Sequence, residues 1–441
     1  MHAYITAIGT ANPPYRTSQK QFADFYADVV GFGETERRKL KAFYRYTRIR
    51  NRFSVLPDFG RRKGDFTFFP NDEGREAVPC ISRRMELFQA HAGPLGLEAA
   101  RSCLARAGEI DPGSVDHLIT VSSTGMYAPG LDIDLIEGLG LRTTVGRIAI
   151  NFMGCFAAIN ALRVADALCR DRPDERVLIV NVELPSIHFR DETNEECLVS
   201  NALFGDGATA MLVEGSPSGR PSLGLGAFHA DLALRGKDDM LWRIRRDRFE
   251  VRLSEYVPMI VKGDVGQVVD GLLAAGGLAL DDIAHFAFHP GGRAILEAIE
   301  TQVGISAEDN RFAYEVLRDY GNMSSCTLVF VLERILASLS EADRGRKVLG
   351  CAFGPGLTIE GLILEVAQVT ASVPAGFVAG SGFAADFGTA DTWLERRPAP
   401  GPQFALGAPS SGDSQITCTA EPSTIRSAVR SRSDETRSKV S

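Results

Sequence analysis

Two stretches of this chain run through the same succession of elements, and that duplication limits the folds open to it more than any single motif does. In the first, Val115 to Ser123 reads as a strand ending in a polar turn and Cys155 to Leu168 as an apolar helix; Arg176 to Val182 is a buried strand, and Gly207 to Val213 another behind a glycine turn. In the second, Asp282 to His289, Ser324 to Leu336, Lys347 to Phe353 and Gly361 to Val366 repeat the order. Alternating strands and helices place the chain in the α/β class. A repeated unit predicts two similar halves packed together, with a site where corresponding strand ends meet. The halves are expected over residues 1–220 and 221–370. Residues 371–441 lose all periodicity and fill with Ser, Thr, Pro, Gly, Ala and Arg, so they are expected to be a disordered tail.

The first copy carries the most pointed residue. Cys155 stands behind Gly154, between a short strand, Arg147 to Asn151, and the apolar helix. At a helix N-terminus the unpaired backbone N–H groups and the positive end of the dipole favour a thiolate, the nucleophilic form of sulfur. Buried cysteines are common as small hydrophobes, so a catalytic role needs a partner base. The second copy supplies candidates at equivalent places. His289 ends a strand before Pro290-Gly291-Gly292, and Asn322 lies in Tyr320-Gly-Asn-Met-Ser-Ser325 just ahead of the matching helix. Either alone reads as a structural histidine or a turn asparagine. Together with the cysteine, an imidazole can activate the thiol, and imidazole and carboxamide N–H groups can polarise a thioester carbonyl.

Charge and composition narrow the partners. A net charge of -8 argues against nucleic acid as the main partner. Eight cysteines without a CxxC pair or a Cys/His cluster fit neither a disulfide framework nor a zinc site, which points to reduced thiols and a cytoplasmic setting. The N-terminus lacks the charged and apolar regions of a signal peptide, and no apolar run approaches the roughly 18 residues of a membrane span. The segment from Glu36 to Arg52 is strongly basic in this acidic chain. It is either a solvated helix face or a mouth for the phosphates of a large anionic substrate. Elsewhere, Tyr4 to Ile8 is expected to be a strand closed by Gly9, Ser18 to cap a helix reaching Val30, Ile81 to Arg106 to be helical, and the Pro- and Gly-rich residues 57–80 to form a surface loop.

At these residues the chain resembles the type III polyketide synthases, the chalcone-synthase-like branch of the thiolase superfamily. The likeness runs from about residue 3 to 366. It is carried by Gly154-Cys155 with Asn160-Ala-Leu-Arg-Val-Ala165, Ala202-Leu-Phe-Gly-Asp-Gly-Ala208, His289-Pro-Gly-Gly-Arg-Ala-Ile-Leu296, Tyr320-Gly-Asn-Met-Ser-Ser325 and Phe353-Gly-Pro-Gly-Leu-Thr-Ile-Glu360. It implies a homodimer of five-layered αβαβα thiolase fold that takes free coenzyme A thioesters and needs no metal or redox cofactor. Cys155 would be acylated from a starter acyl-CoA. His289 and Asn322 would promote decarboxylation of malonyl-CoA, and repeated condensations would give a poly-β-keto chain that cyclises.

The same resemblance makes Phe204 a gatekeeper between the CoA tunnel and the acyl cavity, Gly354, Pro355 and Gly356 a wall of that cavity, and Ser324 a position that tunes its size. Departures are concrete. Val251 stands where plant relatives carry a second gatekeeper phenylalanine, with Phe249 two residues away; His188 and Pro185 replace small threonines; Ala128 replaces a methionine that reaches across the dimer. Of three basic CoA contacts only Lys39 matches, while Ala42 and Tyr46 replace the others beside Lys41 and Arg45. These changes favour a pyrone, resorcinol or related product over a chalcone. The alternatives are a ketoacyl synthase III-like enzyme making one condensation with an acyl carrier protein, a papain-like peptidase, which lacks its Cys-Gly-Ser-Cys-Trp context here, and a silent scaffold.

Overall fold

A computed structural model describes residues 3–369, apart from 72–78, 109 and 218. The stretch read as a tail, 371–441, lies outside the described residues.

The first half begins with β1 (Tyr4–Ala11), then β2 (Tyr15–Ser18), α1 (Gln19–Val30), α2 (Glu34–Tyr46), β3 (Asn51–Ser54) and the long α3 (Ile81–Arg106). It continues through β4 (His117–Ser122), α4 (Leu131–Leu139), β5 (Gly146–Asn151), α5 (Ala157–Asp171), β6 (Arg176–Glu183), α6 (Glu195–Leu203) and β7 (Gly207–Glu214). Ser18 caps α1 as expected: its hydroxyl accepts from the Gln21 N–H while the Gln21 side chain accepts from the Ser18 N–H. β1 runs on past Gly9 to Ala11, which the sequence reading had ended at the glycine. Gly9 is there for packing. A Cβ on it would stand 2.3 Å from the Ala99 carbonyl oxygen, so only glycine lets α3 lie flush on β1.

Residues 57–80 are more than a surface loop. Phe59, Phe66 and Phe69 are buried, and the Asp58 carboxylate accepts from the N–H groups of Thr67, Phe68 and Phe69 and from the Thr67 hydroxyl. One buried acid thus organises a turn that pins an aromatic cluster against Phe25 and Phe189.

The second half comprises β8 (Ser222–Leu232), a hairpin of β9 (Met240–Ile244) and β10 (Phe249–Leu253), α7 (Val257–Gly276), β11 (Ile283–Phe288), α8 (Arg293–Val303), α9 (Arg311–Tyr320), α10 (Ser325–Ser338), β12 (Lys347–Gly354) and β13 (Thr358–Gln368). The sheet order is β11-β12-β13-β8-β1-β7-β6-β4-β5. Read outward from the centre, β8-β13-β12-β11 repeats β1-β7-β6-β4, down to one parallel pair, β11/β12 against β4/β6, among antiparallel neighbours. The halves join where Tyr4 and Ile5 pair with Gly224 and Leu223.

Among the described residues the second half has no strand equivalent to β5; α9 fills the space before α10. α5 and α10 touch each other and strands of both halves, α3 covers the outer face of the first half, and α7 with α8 covers the second, which makes five layers. The duplication thus sets the N-termini of α5 and α10 side by side at the centre. Replacing Gly9 with Ala should cost about 3 kcal/mol of stability, because the backbone of α3 cannot retreat; urea unfolding of the variant checks this.

Candidate active site

Three loops converge at the strand ends. Cys155 lies in the turn between β5 and α5, two residues ahead of the first helical residue, Ala157, and not on the helix itself. Gly154 holds the turn at φ 84°, and a Cβ there would come within 2.6 Å of the Pro355 ring, so the two halves meet at this glycine. His289 follows β11, its backbone N–H donating to the Cys351 carbonyl at 2.8 Å. Asn322 precedes α10. The described side chains of Cys155, His289 and Asn322 all line one cavity of about 520 Å³, with Phe204, Val251, Ser324 and Pro355.

Asn322 is fixed from every side. Its backbone bridges that of Phe204: Asn322 N–H donates to the Leu203 carbonyl and Gly205 N–H to the Asn322 carbonyl, both at 2.9 Å. Its side-chain oxygen accepts from the Ser324 N–H at 2.8 Å, which orients the amide, and Nδ2 donates to the Gly291 carbonyl at 3.2 Å. The Asn322 side chain also contacts the Cys155 sulfur. Ser324 was expected to open the helix; it sits instead at φ 51°, a strained conformation for a residue with a Cβ, and α10 starts at Ser325.

Burial, not the helix dipole, governs the titration of the sulfur. Cys155 keeps part of its surface open, yet desolvation pushes its thiol up to about 12, with the nearby Glu183 charge adding to the rise and contacts from Ser324 and Asn322 opposing it. Burial thus opposes the thiolate that a helix N-terminus was expected to favour. Burial likewise drives His289 down to about 3, and neither of its ring nitrogens has a hydrogen-bond partner among the described residues. Burial thus disfavours charge on both the thiol and the imidazole, and both ring nitrogens of His289 are left unpartnered among the described residues.

The remaining candidates divide. His188 is pinned, Nδ1 accepting from the Phe249 N–H at 3.1 Å and Nε2 lying 2.7 Å from the Thr124 carbonyl, and it stacks on the Phe249 ring at 4.6 Å. It lines a second cavity, about 410 Å³, which shares Phe204, Trp242 and Val251 with the first as a common wall. Phe249, Gly354 and Gly356 line neither. Lys39, Lys41 and Arg45 are not brought together: Lys39 lies in a groove with Phe43 and Leu198, Lys41 pairs with Asp24 at 2.5 Å, and Arg45 faces a different groove.

Sequence reasoning missed two contributors. Glu183 ends β6 fully buried, accepting from the Ser123 N–H and from the Thr124 and Ser325 hydroxyls, and desolvation raises its carboxyl to about 7. An acid closing the apolar run Val177 to Val182 was the available signal. The hairpin supplies Met240, Leu241, Trp242 and Leu253 to the cavity; the alternation in Phe249-Glu-Val-Arg-Leu253 marks it as a strand.

Residues 1–217 match the N-terminal domain of chalcone and stilbene synthases, and residues 234–368 match their C-terminal domain. The chain belongs to that family. It is 32% identical over 375 residues to the alpha-pyrone synthesis polyketide synthase-like Pks18 of Mycobacterium tuberculosis, a match covering 82% of this chain and 91% of that protein. Identity to type III polyketide synthase C of Arabidopsis thaliana is 29% over 373 residues, 82% of this chain and 95% of the other. The crystal structure of PKS-I from the brown alga Ectocarpus siliculosus superposes with a TM-score of 0.77 at 31% identity, covering 83% of this chain and 98% of that one. The fold is thus the thiolase fold, and family membership makes the chain a decarboxylating, condensing acyltransferase of the type III polyketide synthase class.

In this synthase the Glu183 carboxyl holds its proton more tightly in the native state than in the unfolded chain, so its contribution to stability is present at low pH and is lost as pH rises from about 4.5 to about 7. Glu183→Gln should flatten that slope in thermal midpoints compared at pH 5 and pH 8. By removing the neighbouring negative charge it should also lower the Cys155 pKa and speed iodoacetamide alkylation of that thiol at pH 8.

Proposed function

We propose that Cys155 carries the acyl chain and that His289 and Asn322 form the oxyanion clamp of a reaction using free acyl-CoA and malonyl-CoA. The observation behind this is the cavity lined together by a thiol, an imidazole with two unpartnered nitrogens and an amide that contacts the thiol.

In loading, the thiol passes its proton to the imidazole as sulfur attacks the thioester carbonyl, and the departing CoA thiolate takes that proton. Two neutral partners suit this, because charge then arises only as the bond forms. In extension, the C–CO₂ bond of malonyl-CoA breaks, and its electron pair moves toward the thioester oxygen, where imidazole and carboxamide N–H groups hold it. Carbon dioxide leaves, the carbanion attacks the acyl-cysteine, and the departing thiolate takes up one proton from solvent, which balances the carboxylate charge consumed. The lengthened chain on CoA then reacylates Cys155 and releases CoA. The electron pair comes from decarboxylation, so the sequence of steps uses CoA thioesters and no metal or redox cofactor.

After several rounds the chain would cyclise to a pyrone, resorcinol or related product. The relative named for alpha-pyrone synthesis supports that class, as does a cavity walled by Met240, Leu241, Trp242, Val251, Leu253 and Phe353. A homodimer is part of the proposal: among the described residues the outer edge of β5 has no strand beside it, with Met126 and Met153 exposed. A cytoplasmic setting suits the described cysteines, which form no disulfide, and no helix among the described residues is long and apolar enough to cross a membrane.

Incubation with acyl-CoA starters and malonyl-CoA alone, followed by mass spectrometry, tests the reading; an absolute requirement for acyl carrier protein would overturn it. Cys155→Ala should abolish acyl transfer to the protein, read as the loss of the acyl mass increment. His289→Ala and Asn322→Ala should each slow malonyl-CoA decarboxylation by about 10²- to 10³-fold, measured as CO₂ release, the loss typical of one oxyanion donor.

A further inference from the structure

We propose that Glu192 is a specificity-determining positioning residue: its carboxylate, shared by Arg190 and Arg248, docks the β9/β10 hairpin and so fixes the wall that limits how long a chain the site can build. The inference deepens the synthase reading above and rests on it.

The hairpin is a two-stranded sheet of its own, and among the described residues no backbone–backbone hydrogen bond joins it to another element. Yet it carries the partition of the site. Val251 and Trp242 stand directly opposite each other across the pair, and both, with Phe204, line the catalytic cavity on one side and the second cavity on the other. The place of that partition therefore depends on side-chain contacts with the first half.

Those contacts centre on arginines. Arg84 and Arg190, both buried, donate to the Asp247 carbonyl at 2.8 Å and to the Val251 carbonyl at 3.1 Å, gripping the hairpin at its turn and at the partition itself. In the other direction Arg248 reaches from the hairpin to the Glu192 carboxylate, which the Arg190 guanidinium also holds. Arg252 pairs with Glu196 at 2.8 Å nearer the surface. The stack of Phe249 on His188 and the edge contacts of Trp242 with His188 and Phe204, at 6.2 and 6.5 Å, add apolar area.

Charge balance makes Glu192 the hub. The Arg248 charge acts against that of Arg84, so these guanidinium groups need acids between them. Asp247 lies 2.5 Å and Asp191 3.9 Å from Arg248, and Glu250 lies 3.8 Å from Arg190, but of the acids on the first half only Glu192 holds both Arg190 and Arg248. Nε of each of these two arginines has no hydrogen-bond partner among the described residues. Taking away the shared carboxylate charge would leave two cations short of a partner in a largely buried place, a strongly unfavourable state. Arg190 belongs to the first half, whereas Arg248 gains water as the hairpin lifts. Lifting it would carry Trp242 and Val251 away from Phe204 and join the two cavities.

The test gives wild type, Glu192→Gln, Arg248→Gln and the double variant one acyl-CoA starter with malonyl-CoA, and reads the products by mass spectrometry. Each single variant should raise the ratio of products one malonyl unit longer to the wild-type product about tenfold, the effect of losing one charge-assisted contact. The double variant should add no more than about twofold, because both changes cut the same pair. Hydrogen exchange should quicken in peptides covering residues 240–253 and stay unchanged in those covering β6 and β7. Arg248→Lys keeps the charge and should keep the wild-type product ratio. An unshifted product ratio in folded single variants, faster exchange spread evenly over the chain, or an Arg248→Lys shift as large as that of Arg248→Gln overturns the assignment and leaves the synthase reading standing. Should Glu192→Gln fail to fold, the comparison of Arg248→Lys with Arg248→Gln decides. If wild type makes no polyketide from a panel of acyl-CoA starters, the synthase reading falls and the assignment with it.

Discussion

The site depends on a backbone bridge between the halves, where Phe204 and Asn322 run side by side for the length of one residue pair. Everything reactive hangs from it. The bridge sets Phe204 at the wall between two cavities and presents the Asn322 amide with its oxygen already committed to Ser324, so the N–H faces the cavity without a search through rotamers. Arg52, buried over the Phe22 ring, donates to the Phe204 and Asn201 carbonyls and fastens the same loop from behind. A catalytic amide held this way needs no reorganisation when charge develops near it, which is the source of electrostatic catalysis in water-poor sites.

Around that fixed frame burial opposes charge on several ionisable groups. Cys155 is pushed up, Glu183 is pushed up, and His188 and His289 are pushed down, each chiefly by burial. The catalytic cavity itself is lined by a thiol, an imidazole and a carboxamide among mostly apolar side chains. For chemistry that creates an enolate, such a medium strengthens each N–H contact to the new charge.

Much of the fold was legible because a sheet buried on both faces writes itself as apolar runs, and a duplicated sheet writes them twice. Strands at 117–122, 176–183, 283–288 and 347–354 could be placed from those runs, and the sheet pairs them in equivalent order. β8 and the β9/β10 hairpin were harder: their residues alternate or are interrupted by Gly and charge, since one side faces a cavity or solvent. Cys155, His289 and Asn322 could be named because glycine-rich turns mark the ends of the elements that carry them. Their protonation could not, for desolvation is a property of the surroundings. Nor could the fate of Phe249, which stacks on His188 and lines neither cavity.

The halves differ in what carries their reactive residue. In the first, the sulfur hangs from the end of β5, anchored in the sheet through β4. In the second, α9 leads into the amide, whose place is set by its backbone bridge to Phe204 in the other half. A change that loosened the β4/β5 pairing would therefore displace the sulfur and leave the carboxamide where it was.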